Sequence, residues 1–207
     1  SIADQKSAKE TFARILTLYL IVGSFVFLLV SLLAPSVLTL EFYGKAIITP
    51  AYADGLRIIP YILLAYLFQG VYVNLVVGMY LEKKTHLAPL FTGAGMLINL
   101  SVNIFLMGYM GFDFTSAGIA VLVSYLGQSF LLYKASKRFY PIRYELNKIA
   151  RLGIIVAVLF FLPGLYAEGH IYLSLIAVLA YFPMLSAFQV LGFGQIKTAA
   201  TRLLSRS

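Results

Sequence analysis

The chain has no cysteine and no tryptophan, and only 12% of its 207 residues are charged. Without cysteine it can form neither disulfides nor thiolate metal sites. Its two histidines have no acidic cluster beside them, so we predict no metal and no cofactor. A soluble domain carries about 25% charged residues. The low charge, combined with 61% hydrophobic residues, therefore indicates a membrane protein.

Catalytic motifs with recognisable spacing are also missing from the sequence. It contains no glycine-rich phosphate loop, no His-Glu-x-x-His and no Gly-x-Ser-x-Gly. Its acidic residues lie outside the apolar runs, including Glu41, Asp54, Glu82, Asp113, Glu145 and Glu168. A carboxylate in mid-membrane is the usual sign of a proton relay. We therefore predict a protein that is not an enzyme and has no proton site within these spans.

Long apolar runs are what the sequence does contain. The runs 58–81 and 87–110 each have 24 residues without a charge, and a polar turn at 82–86 joins them. As helices they would extend roughly 36 Å, against a hydrocarbon core of about 30 Å. We predict an all-α polytopic membrane bundle of about six transmembrane helices, between a cytoplasmic lead-in at 1–12 and a basic cytoplasmic tail at 194–207. The predicted spans are 13–33, 58–81, 87–110, 115–133, 149–166 and 171–193.

The ends of these spans are predicted from proline and from charge. Pro35 is expected to end the first span, and 35–56 to form an extramembrane loop with a short interfacial helix around 37–43. The basic run 134–151 is expected to be a solvated loop that faces anionic lipid. Within the first span, three small polar residues recur every seven positions, namely Thr17, Ser24 and Ser31. Such a stripe is typical of a helix-packing face.

Six polar side chains within or beside the spans are the candidate binding residues. Amides in mid-membrane need partners, so they either hold helices together or line a wet cavity. Their concentration in three consecutive helices favours a shared cavity. Arg57, at the outer mouth of the second span, either extends to the interface or attracts an anionic head group such as pyrophosphate. The candidates are Arg57, Gln69, Asn74, Asn99, Asn103 and Gln128.

The distribution of basic residues predicts the orientation. If the six spans alternate, fourteen of the 16 lysines and arginines fall on one side, and only Lys45 and Arg57 on the other. The richer side is cytoplasmic by the positive-inside rule, and both ends of the chain are then inside. This rule also accounts for the surplus of positive charge, so we predict no nucleic-acid partner.

Several short segments carry a resemblance to a known family. Among them are Phe42-Tyr43-Gly44-Lys45 and Asn99-Leu100-Ser101-Val102-Asn103, with the segments 59–66, 78–85, 118–120 and 137–142. Over 42–152 the chain resembles the C-terminal half of polysaccharide biosynthesis proteins. These are the oligosaccharide (O-antigen type) flippases of the multidrug/oligosaccharidyl-lipid/polysaccharide exporter superfamily. The chain departs from the family at 107–116, where Asp113-Phe114-Thr115 replaces the usual Pro-x-Phe-Gly turn.

The resemblance implies one bundle of a two-bundle transporter that works by alternating access. The chain is then expected to be a piece of a longer polypeptide whose N-terminal bundle is a partner. Its implied substrate is an undecaprenyl-pyrophosphate-linked glycan, carried across the cytoplasmic membrane of a bacterium or archaeon, with membrane lipids as further partners.

Three other functions stay open. A drug/cation antiporter of the same superfamily would be favoured by a titratable carboxylate within a span. A membrane glycan polymerase or ligase would be expected to have a large outer loop, whereas the predicted outer loops 111–114 and 167–170 are short. A scaffold subunit that transports nothing is the fourth hypothesis.

Overall fold

The computed structural model describes residues 2–38, 41–42, 45–46, 54–165 and 171–190, and these form a bundle of six α-helices. The predicted all-α fold is therefore confirmed. A two-residue antiparallel ladder, β1 (Glu41–Phe42) with β2 (Lys45–Ala46), is the only β-structure among the described residues. The helices are α1 (Ile2–Leu38), α2 (Ile59–Leu81), α3 (Ala88–Asn103), α4 (Thr115–Phe139), α5 (Leu146–Phe161) and α6 (Ile171–Ala187).

Short irregular turns flank several of these helices. The 3₁₀ segments Asp54–Ile58 and Thr85–Leu87 lead into α2 and α3, and Pro163–Leu165 follows α5. The π-helical segment Ile104–Tyr109 continues α3. Between α2 and α3, Lys83 adopts a left-handed φ of 55°, and the Lys84 N–H bonds to the Met79 carbonyl at 2.9 Å. This turn reverses the chain.

Within the part of the chain that the structure describes, four helical stretches are long and apolar enough to cross a membrane: Ser7–Leu38, Gly55–Leu81, Thr85–Tyr109 and Thr115–Phe139. The 17-residue α6 is also apolar but shorter, and α5 has 16 residues. By length and composition, these helices fit a multi-pass membrane protein. The number and the exact limits of the spans stay a prediction.

Three local predictions are corrected. Pro35 lies inside α1, which continues to Leu38, because a proline in the last turn removes only one helical hydrogen bond. The helix predicted around 37–43 is not formed, since Glu41–Phe42 is a strand. The basic run is helical up to Phe139 and again from Leu146, so the loop is limited to 140–145. The predicted tail, 194–207, lies outside the described residues.

The helices pack as two groups of three. One group consists of α2, α3 and α4, and the other of α1, α5 and α6. The second group has the larger core, built around Leu28, Ile155 and Tyr181, which are fully buried. The predicted packing face of α1 is confirmed, because its three small polar side chains are buried.

Helix α1 also joins the two groups through its contact with α2. The ring of Tyr19 packs directly on Gly70, where a Cβ atom would overlap it. The Tyr19 hydroxyl donates to the Tyr66 carbonyl at 3.1 Å. The groups therefore meet closely along one line and diverge beside it.

Candidate binding cavity

A half-enclosed cavity of about 720 Å³ lies between the two helix groups, with walls formed by α1, α2, α4 and α5. Its lining is mostly apolar, with side chains such as Leu20, Leu67, Leu126 and Val156. Each wall helix uses one apolar face to pack within its own group. A second apolar face is left over, and these second faces line the cavity. The cavity can accommodate a hydrocarbon chain.

Three of the five hydroxyl-bearing side chains that line the cavity form hydrogen bonds within the protein. Ser24 bonds to the Tyr181 hydroxyl at 2.7 Å, and Ser129 donates to the Phe68 carbonyl at 3.0 Å. Tyr144 donates to Asn74 Oδ1 at 3.3 Å. These three side chains therefore stabilise the wall helices, whereas the hydroxyls of Tyr61 and Tyr133 have no hydrogen-bond partner among the described residues.

Arg57 stands at one end of the cavity, which we call the Arg57 end. Its Nη1 lies 3.8 Å from Asp113 Oδ2, and the two side chains are 66% and 47% exposed. An exposed pair of this kind contributes about 0–1 kcal/mol to stability. The guanidinium is thus available to exchange its carboxylate for another anion, and its planar donors suit phosphate oxygens.

Asp113 is fixed more firmly than Arg57. Its Oδ1 accepts hydrogen bonds from the Thr115 hydroxyl at 2.5 Å and from the Thr115 N–H at 2.9 Å. These two hydrogen bonds, with a smaller contribution from Arg57, lower the pKa of Asp113 below its ordinary value. The lowered pKa favours the ionised carboxylate, which lies just before α4 and beside Arg57.

The opposite end of the cavity, which we call the basic end, is bordered by Tyr144. Tyr144 belongs to the segment 140–145, which we call the strap. Glu145 Oε2 lies 3.0 Å from Thr17 Oγ1 of α1, and Glu145 also pairs with Lys148. Partial burial raises the pKa of Glu145, but the hydrogen bonds from Lys148 and Thr17 and the charges of Lys148 and Arg14 outweigh it. The net pKa is lowered.

Tyr144 of the strap is held by an amide. Its hydroxyl bonds to Asn74 Oδ1, and Asn74 Nδ2 donates to the Phe12 carbonyl of α1 at 3.4 Å. Burial, with the neighbouring Tyr133, raises the pKa of Tyr144, so the group remains a neutral donor. One amide thus connects α1, α2 and the strap.

The five predicted amides do not line this cavity; of the six candidates, Arg57 alone does. Asn103 Nδ2 bonds to the carbonyl and to Oδ1 of Asn99, both at 3.2 Å, within α3. The buried Gln128 donates to Ser124 Oγ at 3.3 Å and packs against Gly95. Gln69 is half-buried, without a hydrogen-bond partner in the described part of the chain. The five amides therefore do not meet in one shared cavity, as the sequence led us to expect. Whether they contact a substrate stays a prediction.

Sequence reasoning missed Tyr144 and Glu145 as functional positions. One signal was present, because Glu145 is the single acidic residue within the basic run 134–151. Its distant partner Thr17 could not be found from spacing. Among the described residues, no three histidine, aspartate or glutamate side chains cluster closely enough to hold a metal ion.

In comparisons with known proteins, the chain matched no family model, no curated protein and no solved structure. The features that bear on its function are therefore the cavity, the apolar helices and the sequence resemblance.

Proposed function

We propose that the chain is the C-terminal half of a flippase for a lipid-linked oligosaccharide or polysaccharide. The observation that supports this most is the apolar cavity between two helix groups with an exposed arginine at one end. The resemblance of 42–152 to polysaccharide biosynthesis flippases points in the same direction. The substrate class is an undecaprenyl-pyrophosphate-linked glycan, and the mechanism is alternating access with an N-terminal bundle.

The physical requirements of such a substrate fit this cavity. A pyrophosphate and its sugars cannot cross hydrocarbon unaided, because their polar groups would lose water without compensation. The polyprenyl chain has the opposite preference. A protein that moves the whole molecule needs an apolar surface for the chain and a cation for the phosphates. Ligand cavities commonly measure about 300–1,000 Å³, so the volume is sufficient for part of such a chain.

No bond needs to be broken in this function. The chain lacks recognisable catalytic motifs, and its acidic residues lie outside the apolar runs. Because this chain has no carboxylate in its apolar runs, a proton-coupled antiporter would need one in the N-terminal bundle of the full-length protein. The flippase is therefore the function that uses the described features most directly.

Filling the cavity tests the proposal. Gly153 lines the cavity, and nothing lies within 4 Å of a Cβ atom built there. Gly153→Phe in the full-length protein should lower export of the lipid-linked glycan at least about tenfold, with an unchanged protein level. Gly93→Phe is the matched control, since Gly93 also has open space around it but lies on α3, away from the cavity. Equal export by both variants would contradict the proposal.

A further inference from the structure

The last two residues of the strap, Tyr144 and Glu145, lie at the boundary of two cavities. A second, smaller cavity of about 360 Å³ at the basic end is lined by residues 144–148. Tyr144 and Leu146 line both this cavity and the large one. Asn147 lines only the small cavity, and Ile149 only the large one. Tyr144 of the strap and the first turn of α5 therefore form a partition between the two cavities.

Side-chain contacts to other helices hold this partition in place. Tyr144 bonds to Asn74 of α2, and Glu145 lies against Thr17 of α1. These contacts span 70 and 128 residues of sequence, so they depend on how the helices pack. The hydrogen bonds are few and their distances are 3.3 and 3.0 Å. Because only two hydrogen bonds among the described residues join the strap to α1 and α2, the strap can be released without unfolding the helices.

The start of the strap is anchored differently. Tyr140 is buried, and its ring lies against Gly78, where a Cβ atom would approach the ring to 3.2 Å. Lys9 Nζ lies 4.5 Å from the centre of the same ring, and Lys84 Nζ lies 3.7 Å from that of Phe139. Close packing on Gly78 and the two cation–π contacts therefore hold Phe139 and Tyr140 from several directions. Movement should therefore occur about Tyr140, with Tyr144 and Glu145 as the part that swings.

We propose that the strap is a gate at the basic end of the cavity. When Tyr144 and Glu145 leave Asn74 and Thr17, the two cavities join into one passage that leads from the basic end to the large cavity. The role of this gate rests on the proposed function: it would admit the lipid-linked anion from the basic end. Its existence as a movable partition does not depend on which substrate is carried.

Two cysteine positions on either side of the partition test the gate in this cysteine-free chain. Asn147→Cys places a thiol in front of the strap and Ile149→Cys places one behind it. The probe is a small, membrane-impermeant, charged thiol reagent, added to vesicles from the side on which Lys84→Cys reacts. With the strap intact, the thiol at 149 should react at least about tenfold more slowly than the thiol at 147.

The release variant is Thr17→Val combined with Tyr144→Phe, which removes two hydroxyls and keeps the shapes of the side chains. We expect it to accelerate the reaction at 149 about fivefold or more and to leave the rate at 147 unchanged. The matched control is Tyr72→Phe with Thr92→Val. It removes the exposed hydrogen bond of 3.3 Å between Tyr72 of α2 and Thr92 of α3, neither of which holds the strap. Both reaction rates should therefore stay unchanged.

An unchanged rate at 149 in the release variant, or equal rates at 147 and 149 with the strap intact, would overturn the gate. If the release variant does not fold, Glu145→Gln takes its place, since it weakens the contacts to Thr17 and Lys148 without changing size, and the same outcomes decide. The reaction rates involve no transport. A failure of the gate is thus distinguishable from a failure of the flippase proposal, which the Gly153→Phe variant tests.

Discussion

The two ends of the cavity are held together in different ways. At the Arg57 end, Arg57 and Asp113 form one exposed pair at 3.8 Å, and Asp113 accepts hydrogen bonds from Thr115 at the start of α4. At the basic end, the strap is attached to α1 and α2 through Thr17 and Asn74. One end has a loosely held cation and the other a closed partition.

This difference suggests a division of roles. A loosely paired arginine can bind an incoming anion at little cost, because its existing partner contributes about 0–1 kcal/mol. A partition with several contacts needs an event that releases them together. If the strap is the gate proposed above, the described conformation has the basic end closed, with the cation of Arg57 exposed at the other end.

The largest expected effect is in thiol labelling, where a cysteine at either end of the cavity should react from one side of the membrane and not from the other. Lys84 lies at the basic end, and Phe112 is exposed near Arg57 and Asp113 at the other. The fourteen-to-two distribution of basic residues predicts that a cysteine at 84 reacts with an impermeant thiol reagent only from the cytoplasmic side. A cysteine at 112 should react only from outside. Reaction of the 84 cysteine from outside, with the 112 cysteine protected, would reverse the orientation.

The sequence was sufficient to locate the helices but not their contacts. The second span was predicted as 58–81, and α2 is Ile59–Leu81, because a long uninterrupted apolar run leaves few alternatives. The helix ends near Pro35 and Phe139 were missed, since a helix can continue beyond its apolar run when its last turns are exposed.

The cavity itself could not be predicted, for a different reason. Its basic end depends on Thr17 and Glu145, which are 128 residues apart and meet only when α1 packs beside the strap. Amide side chains were the stronger sequence signal, yet Asn99 and Asn103 bond to each other within one helix. Residue type predicted a need for partners and could not predict where those partners would lie.

The next largest effect concerns Arg57. Arg57→Lys keeps the charge and loses the planar donors, and Arg57→Gln loses both. Because a hydrogen bond to a charged group contributes about 1.5–3 kcal/mol, we expect glycan export to fall about threefold for lysine and about tenfold for glutamine. Arg138→Gln, an exposed change at the basic end, is the control and should retain export. Full export by Arg57→Gln at normal protein level would leave this arginine as an interfacial anchor.

A smaller effect distinguishes two asparagines. Asn74→Leu breaks the bonds to the Phe12 carbonyl and to the Tyr144 hydroxyl, which join three segments. We expect it to lower the free energy of unfolding by about 1–2 kcal/mol. Asn103→Leu loses only bonds within its own helix and should be close to neutral. Thermal unfolding in detergent compares the two variants, and equal losses would argue against the strap as the more tightly integrated region.

The smallest expected effect is the pH dependence contributed by the two acidic groups. Both Glu145 and Asp113 have lowered pKa values, so each contributes stability above its unfolded-state pKa. That contribution is lost as the pH falls through the folded-state value. The ordinary values are about 4.3 for glutamate and 3.9 for aspartate. Glu145 is the more enclosed group and contacts a second helix, whereas Asp113 is exposed and contacts its own helix and Arg57.

Between about pH 5 and pH 3, the melting temperature of the unmodified protein should therefore fall, and part of this fall should disappear in Glu145→Gln. Asp113→Asn should change the slope less, because solvent screens its interactions. A larger change in Asp113→Asn would mean that the pair at the Arg57 end is held more strongly than the strap. The roles assigned to the two ends would then have to be exchanged.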